Sequence, residues 1–209
     1  MPAEAPTTLL IQFARGPLAG QVKTRMIPSL SATEACELHC ALVRWTARCL
    51  VESALGPVHM AVAGDVQDPL FQDCLASGVA EVSAQRGANL GDRMFHAISE
   101  GLQRYQRVLL VGSDCPGLDG SYLEQAVAAL DEAPLVLGPA EDGGYVLIGA
   151  RRISRELFLG VEWGTGQVYG QTVALLETLG WDWRSLPTRA DIDRPEDLPL
   201  WHALLRRSA

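Results

Sequence analysis

Arg107-Val108-Leu109-Leu110-Val111-Gly112-Ser113-Asp114-Cys115-Pro116 decides the reading of this chain. Its first half is a short, unbroken apolar run, the mark of a strand covered on both faces. Its second half changes to Gly, Ser, Asp and Pro, residues that turn a chain. A carboxylate set directly after a buried strand lies where open α/β sheets bind ligands, outside the carboxyl ends of the strands. Similar units flank it. Thr8–Ala14 reads as a strand ending at Arg15-Gly16-Pro17, Pro57–Gly64 as a second and Val79–Ala84 as a short third. Helical spacing runs over Ser31–Ala54, Gln67–Ser77, Leu90–Tyr105 and Ser121–Leu130. Two of these helices open with Ser-x-x-Glu capping boxes, Ser31 with Glu34 and Ser121 with Glu124. Pro134–Gly138 and Gly144–Ala150 are strands joined by a short link carrying Asp142-Gly143, which predicts an antiparallel hairpin with a type I′ turn. A helix over Gly166–Leu179, a strand over Trp181–Leu186 and a helix over Pro195–Arg206 complete the chain. The alternation predicts an α/β fold: a mixed but mostly parallel sheet between helices. No repeat, low-complexity tract or linker divides it, so residues 1–209 read as a single domain.

Bulk composition narrows the function. With 48% hydrophobic and 20% charged residues the chain has an ordinary globular balance. A net charge of −8 argues against a broad nucleic-acid surface, which needs a basic face. It leaves room for one nucleotide on a local basic loop. No apolar run is long enough to span a bilayer. Met1–Thr8 lacks a basic leader region, and the apolar run after it reads as a first strand. Five cysteines, an odd number without a CxxC pair, fit a reducing cytoplasm. Cys36 and Cys40 read as core residues of a helix, not as half of a zinc site.

Four loops at expected strand ends carry more polar chemistry than a turn requires. Arg15 to Arg25 sets Arg15, Lys23 and Arg25 among Gly16 and Gly20, a pattern suited to phosphate oxygens. Asp114 can hold Mg²⁺ or Mn²⁺ against a diphosphate, or serve as an Asx-turn residue before Pro116. Glu141-Asp142-Gly143-Gly144 reads equally as a site and as a turn. In Asp191-Ile192-Asp193-Arg194-Pro195-Glu196, Asp193 reads as a helix cap, which leaves Asp191 free as a second metal ligand. A fifth segment, Gln85 to Met94, is weaker and reads by default as a helix start.

Six stretches occur in order: Phe13–Pro28 (FARGPLAGQVKTRMIP), then GANLGDRM, VGSDCPGL, LGPAEDGGYVLIG, VEWGTGQV and DIDRPEDL. Together they resemble a bacterial family of GT-A-like glycosyltransferases, the nucleotide-diphospho-sugar transferases of the DUF2064 type. They are also similar to small nucleotidyltransferases such as phospholactate guanylyltransferase. The resemblance implies a three-layer, Rossmann-like fold of the GT-A type, a nucleoside diphosphate sugar or nucleoside triphosphate as donor, a small-molecule acceptor, and Mg²⁺ or Mn²⁺ on Asp114 and Asp191. On this reading Ala14, Arg15, Gly16, Lys23, Arg25, Asn89, Arg93, Ser113 and Asp114 bind the nucleotide. Glu141, Asp142, Gly143, Gly144 and Trp163 bind the other substrate. Lys23 and Arg25 stabilise charge, while Asp142 or Glu141 acts as base or orients the sugar. Glycosyl transfer is the first expectation, nucleotidyl transfer the second, and a non-catalytic nucleotide-binding module the third. Neither nucleic acid nor membrane is expected as a partner.

Overall fold

The computed structural model describes residues 7–27 and 29–207. The stretch read as lacking a leader lies, up to residue 6, outside the described residues, as does Pro28. The elements are β1 (Thr8–Arg15), α1 (Ala32–Glu52), β2 (Val58–Ala63), α2 (Pro69–Ala76), β3 (Glu81–Ala84), α3 (Leu90–Gly101), β4 (Arg107–Val111), α4 (Gly120–Glu132), β5 (Leu135–Pro139), β6 (Tyr145–Ala150), α5 (Val168–Thr178), β7 (Arg184–Ser185) and α6 (Leu198–Arg207). The strands form one sheet in the order β3-β2-β1-β4-β6-β5-β7. All neighbours are parallel except β6, which runs antiparallel to both β4 and β5. The mixed, mostly parallel sheet expected from the apolar runs is therefore present.

Two apolar layers cover the sheet. One packs Val43, Ala47 and Leu50 of α1, Phe71 of α2 and Leu123 and Leu130 of α4 on it. The other packs Met94 and Ile98 of α3, Phe158 of the turn at Arg155–Phe158 and Leu176 of α5 on the opposite face. β4 is buried between them, with Leu109 and Leu110 nearly inaccessible. Each such side chain contributes about 1.5–3 kcal/mol of burial. A third cluster, Met26, Leu38, Leu42, Ile192 and Trp201, ties the loop after β1 to α6. Among the described residues no helix is long and apolar enough to cross a membrane.

Local chemistry revises several boundaries. The Ser31–Glu34 capping box forms on both sides, at 3.2 and 2.8 Å. The box expected at Ser121 does not form. Asp119 caps α4 instead, its carboxylate accepting from the Tyr122 amide at 2.8 Å. The hairpin between β5 and β6 is not closed by a type I′ turn either. Among the described residues only Lys23 and Ala54 have positive φ outside glycine, so Asp142 lacks the conformation that turn demands. Gly143 N donates to Ala140 O and Ala140 N to Gly144 O, with Gly143 at φ 86. That is the three-residue loop with a left-handed glycine bulge. Glycine is required there: a Cβ would lie 2.1 Å from Gly166 O.

Candidate active site

The sheet order reverses between β1 and β4. Strands β1, β2 and β3 run outward in one direction and the chain then returns to the other side of β1. The loops leaving β1 and β4 part at that point, which is where doubly wound sheets open a crevice. Ser113 joins the two loops beneath it. Its hydroxyl donates to Phe13 O at 2.8 Å and accepts from Gln12 Nε2 at 2.9 Å.

Lys23 is the pivot of the site. It lies at φ 49, ψ 38, a left-handed conformation unfavourable for a side-chain-bearing residue. Its buried ammonium donates to Ile192 O at 2.6 Å and pairs with Asp114 Oδ1 at 2.8 Å. Asp193 Oδ1 is 4.0 Å away. Strain of this kind persists where surrounding contacts over-determine it, and sites of function collect it. Arg25 Nη1 pairs with Asp193 Oδ2 at 2.6 Å, and that partner raises the guanidinium above its ordinary value.

The C-terminal segment is clamped to both acidic loops. Ile192 N donates to Asp114 O at 2.8 Å, Arg189 N to Pro139 O at 3.0 Å and Glu141 N to Arg189 O at 3.1 Å. Asp191 thereby shares the cleft with Asp142. Burial, and then the Asp142 charge, push the Asp191 carboxyl up to about 6. Asp114 has its cation in Lys23, while Asp191 and Asp142 face each other across the same cleft.

The result is an open cleft of about 640 Å³ at the carboxyl edge of β1 and β4. Ala14, Arg15, Lys23, Arg25, Asn89, Arg93, Ser113, Asp114, Asp142 and Asp191 all line it. Gly16, Glu141 and Gly143 do not. Gly16 donates its amide to Ala63 O, Glu141 is exposed on the hairpin, and Gly143 packs on Gly166. Gly144 and Trp163 wall a second, smaller pocket that opens beside Asp142. Asn89 is present, but its amide oxygen caps α3 through the Asp92 amide at 2.9 Å.

Sequence reasoning missed three contributors. Asp193 is not a helix cap. Asp197 accepts from Asp193 N at 2.9 Å and Arg194 N at 2.7 Å, freeing the Asp193 carboxylate for Arg25. The Asp-x-x-Glu pattern concealed this because Asp197, one position further on, reaches back to the amides at the start of that turn. His39 reaches the cleft from α1, with Nε2 2.8 Å from Arg15 O, and burial lowers its pKa. Gln85 donates to Ala61 O at 2.9 Å and Ala14 O at 3.2 Å. Nothing in the spacing of either residue signals its position.

The donor set fits a divalent cation of the Mg²⁺ or Mn²⁺ kind. Among the described residues no cluster of three His, Cys, Asp or Glu side chains forms a complete cage. Mg²⁺ uses one or two carboxylates and completes its shell with phosphate oxygens and water. Asp114, half exposed despite its contact to Lys23, and Asp191, on the same cleft, are the carboxylates that could supply them.

The sheet order and its crevice define the α/β fold of the nucleotide-diphospho-sugar transferases. A protein from Desulfovibrio desulfuricans G20, assigned as a nucleotide-diphospho-sugar transferase, superposes with a TM-score of 0.81 at 29% identity, over 90% of this chain and 83% of that one. The 4-diphosphocytidyl-2C-methyl-D-erythritol synthase of Anaerococcus prevotii shares the fold at a TM-score of 0.62 and 12% identity, over 95% and 98% of the chains. A CMP:2-keto-3-deoxy-manno-octonic acid synthetase complexed with CTP does so at 0.59 and 13%, over 97% and 100%. Residues 46–165 match the bacterial family described as "Uncharacterized protein conserved in bacteria (DUF2064)", and the chain belongs to that family. No curated protein matches the chain.

Proposed function

We propose that this protein is a metal-assisted transferase that uses a nucleotide donor, and that the donor is a nucleoside diphosphate sugar. The observation that carries the reading is the convergence of Lys23, Arg25, Asp114 and Asp191 on one cleft at the reversal point of the sheet. The similarity to the Desulfovibrio protein, much higher than to the cytidylyltransferases, supports glycosyl over nucleotidyl transfer.

The residues divide the work. Arg25, about half exposed, presents a guanidinium to the diphosphate while Asp193 holds it in place. Lys23 supplies a fixed positive charge in the cleft wall, aimed by Asp114 and Ile192 O. Charge that is placed before the reaction stabilises the leaving diphosphate without reorganisation. Asp114 and Asp191 would hold the metal ion, which when bound supplies Lewis-acid neutralisation of the diphosphate. Asp142, exposed at the junction of cleft and pocket, orients the acceptor hydroxyl or takes its proton.

The test is an incubation with Mn²⁺ or Mg²⁺ and panels of nucleotide sugars and nucleoside triphosphates. Metal-dependent release of nucleoside diphosphate from one nucleotide sugar, lost in Asp114→Ala and Asp191→Asn, is the expected result. Release of pyrophosphate from a triphosphate instead establishes nucleotidyl transfer. Unchanged nucleotide binding in Asp114→Ala refutes the site.

A further inference from the structure

We infer that the pocket beside Asp142 takes an apolar or aromatic alcohol, the body of the acceptor, and rejects a sugar ring. The assignment to the acceptor rests on the transferase reading above; the chemistry of the pocket does not. The pocket holds about 230 Å³ and shares Phe13, Arg25, Leu90, Gly112, Asp142 and Gly164 with the cleft. It is thus a side chamber of the candidate site. It is the smaller of the two spaces and opens directly into the cleft.

Behind that mouth the walls are mostly apolar. Met94, Val168, Tyr145 and Trp163 line it, with Leu110 and Ile148 contributed by the sheet. The polar side chains there are already engaged. The Thr165 hydroxyl donates to Glu162 O at 2.8 Å. The Tyr145 hydroxyl lies against Met94 Sδ at 4.0 Å and Thr172, with burial raising its pKa. A sugar ring would bury several hydroxyls with few partners, and each unpartnered one weakens binding about tenfold. An aryl or branched alkyl group loses nothing there. A single hydroxyl at the mouth meets the Asp142 carboxylate.

The aromatic wall is also fixed in place. Trp163 stands edge-to-face with Tyr145, centroids 6.5 Å apart, and tilted on Phe158 at 6.2 Å. It lies over Gly91 so closely that a Cβ there would be 2.7 Å from its ring. Any side chain at position 91 would displace the indole, so the chamber is preformed by a glycine on α3.

Saturation-transfer NMR on the full chain, without metal or nucleotide, tests this. The probes are p-cresol and methyl β-D-glucopyranoside, with uridine and guanosine as competitors. We expect p-cresol to bind, the glucoside to bind at least tenfold more weakly, and neither nucleoside to displace p-cresol. Leu90→Glu places a carboxylate at the rim on an exposed first-turn position of α3, where negative charge suits the helix. A fivefold or greater loss of p-cresol affinity is expected in that folded variant, and in Gly91→Ala. Failure of p-cresol to bind, equal binding of the glucoside, displacement by a nucleoside, or no effect of Leu90→Glu overturns the inference. The nucleotide-sugar assay reads the transferase proposal separately. Turnover with no p-cresol binding refutes the chamber alone; p-cresol binding with no turnover refutes the transferase alone.

Discussion

Replacing Lys23 by Met tests the arrangement at its centre. The change keeps a long side chain and removes the ammonium that serves Ile192 O at 2.6 Å and Asp114 at 2.8 Å. The carbonyl loses its donor, which costs about 1–3 kcal/mol where water does not replace it. The ion pair is worth between about 1 kcal/mol, for charges 4 Å apart in water, and about 4 kcal/mol at a protein-like dielectric. Asp114 is 49% exposed, which places the pair near the lower limit. Relief of the buried ammonium's desolvation returns part of the loss. A net destabilisation of about 2 kcal/mol follows. Asp114→Asn keeps the shape and an acceptor oxygen, so it should cost about 1 kcal/mol. Urea unfolding of wild type, both single variants and the double variant closes a mutant cycle. Unchanged m-values would show that the denatured state is not what moved. The expected coupling is about 1 kcal/mol. If Lys23→Met is as stable as wild type, or the coupling is zero within error, Lys23 is not the fastening described here.

Three further perturbations probe the supporting structure. Gly143→Ala forces a side chain into φ 86 and sets its Cβ 2.1 Å from Gly166 O. It should cost at least about 2 kcal/mol, seen as a melting temperature lower by about 4–8 °C. Tyr122→Phe removes the donor to Pro187 O at 2.9 Å from a fully buried ring. A loss of about 1 kcal/mol, or about 2–4 °C, is expected in calorimetry. His39 has its pKa lowered below 6.5 by burial, so the unfolded chain takes up a proton that the folded chain refuses. Its stabilising contribution is complete above pH 6.5 and is lost as the pH falls toward the lowered folded value. His59 shifts the same way, so the measurement is a difference: the decline in urea midpoint between pH 7.5 and 5 should be smaller in His39→Gln than in wild type, and an identical decline contradicts the burial argument.

Much of the fold could be read because its cues are local. The apolar run of β4 needs no knowledge of its neighbours, and the Ser31–Glu34 box closes within one helical turn. Where two local solutions compete, sequence alone does not choose. Ser121 and Asp119 both offer an oxygen to the start of α4, and Asp119 prevails. Asp142-Gly143 satisfies a type I′ turn and a glycine bulge alike, and the difference lies in which residue takes positive φ. The strand expected over Trp181–Leu186 shrinks to β7, which among the described residues pairs with β5 alone. An edge strand needs a partner's length as well as its own pattern.

The candidate site divides along the same line. Its loops are legible because glycines and charges cluster at the carboxyl ends of apolar strands. Its pairings are not, because they join residues far apart in the chain: Lys23 to Ile192 across 169 positions, Arg25 to Asp193 across 168. Asp193 and Asp197 begin with the same chemistry, a carboxylate beside the start of α6. Asp197 reaches back to the amides of Asp193 and Arg194, and Asp193 becomes the partner of Arg25. What separates them is the position of a guanidinium that reaches the site from the first loop. The role of a carboxylate at this edge is therefore set by which cation the fold delivers to it. Asp114 receives Lys23 and Asp193 receives Arg25, while the Asp191 carboxyl is raised by burial and by Asp142.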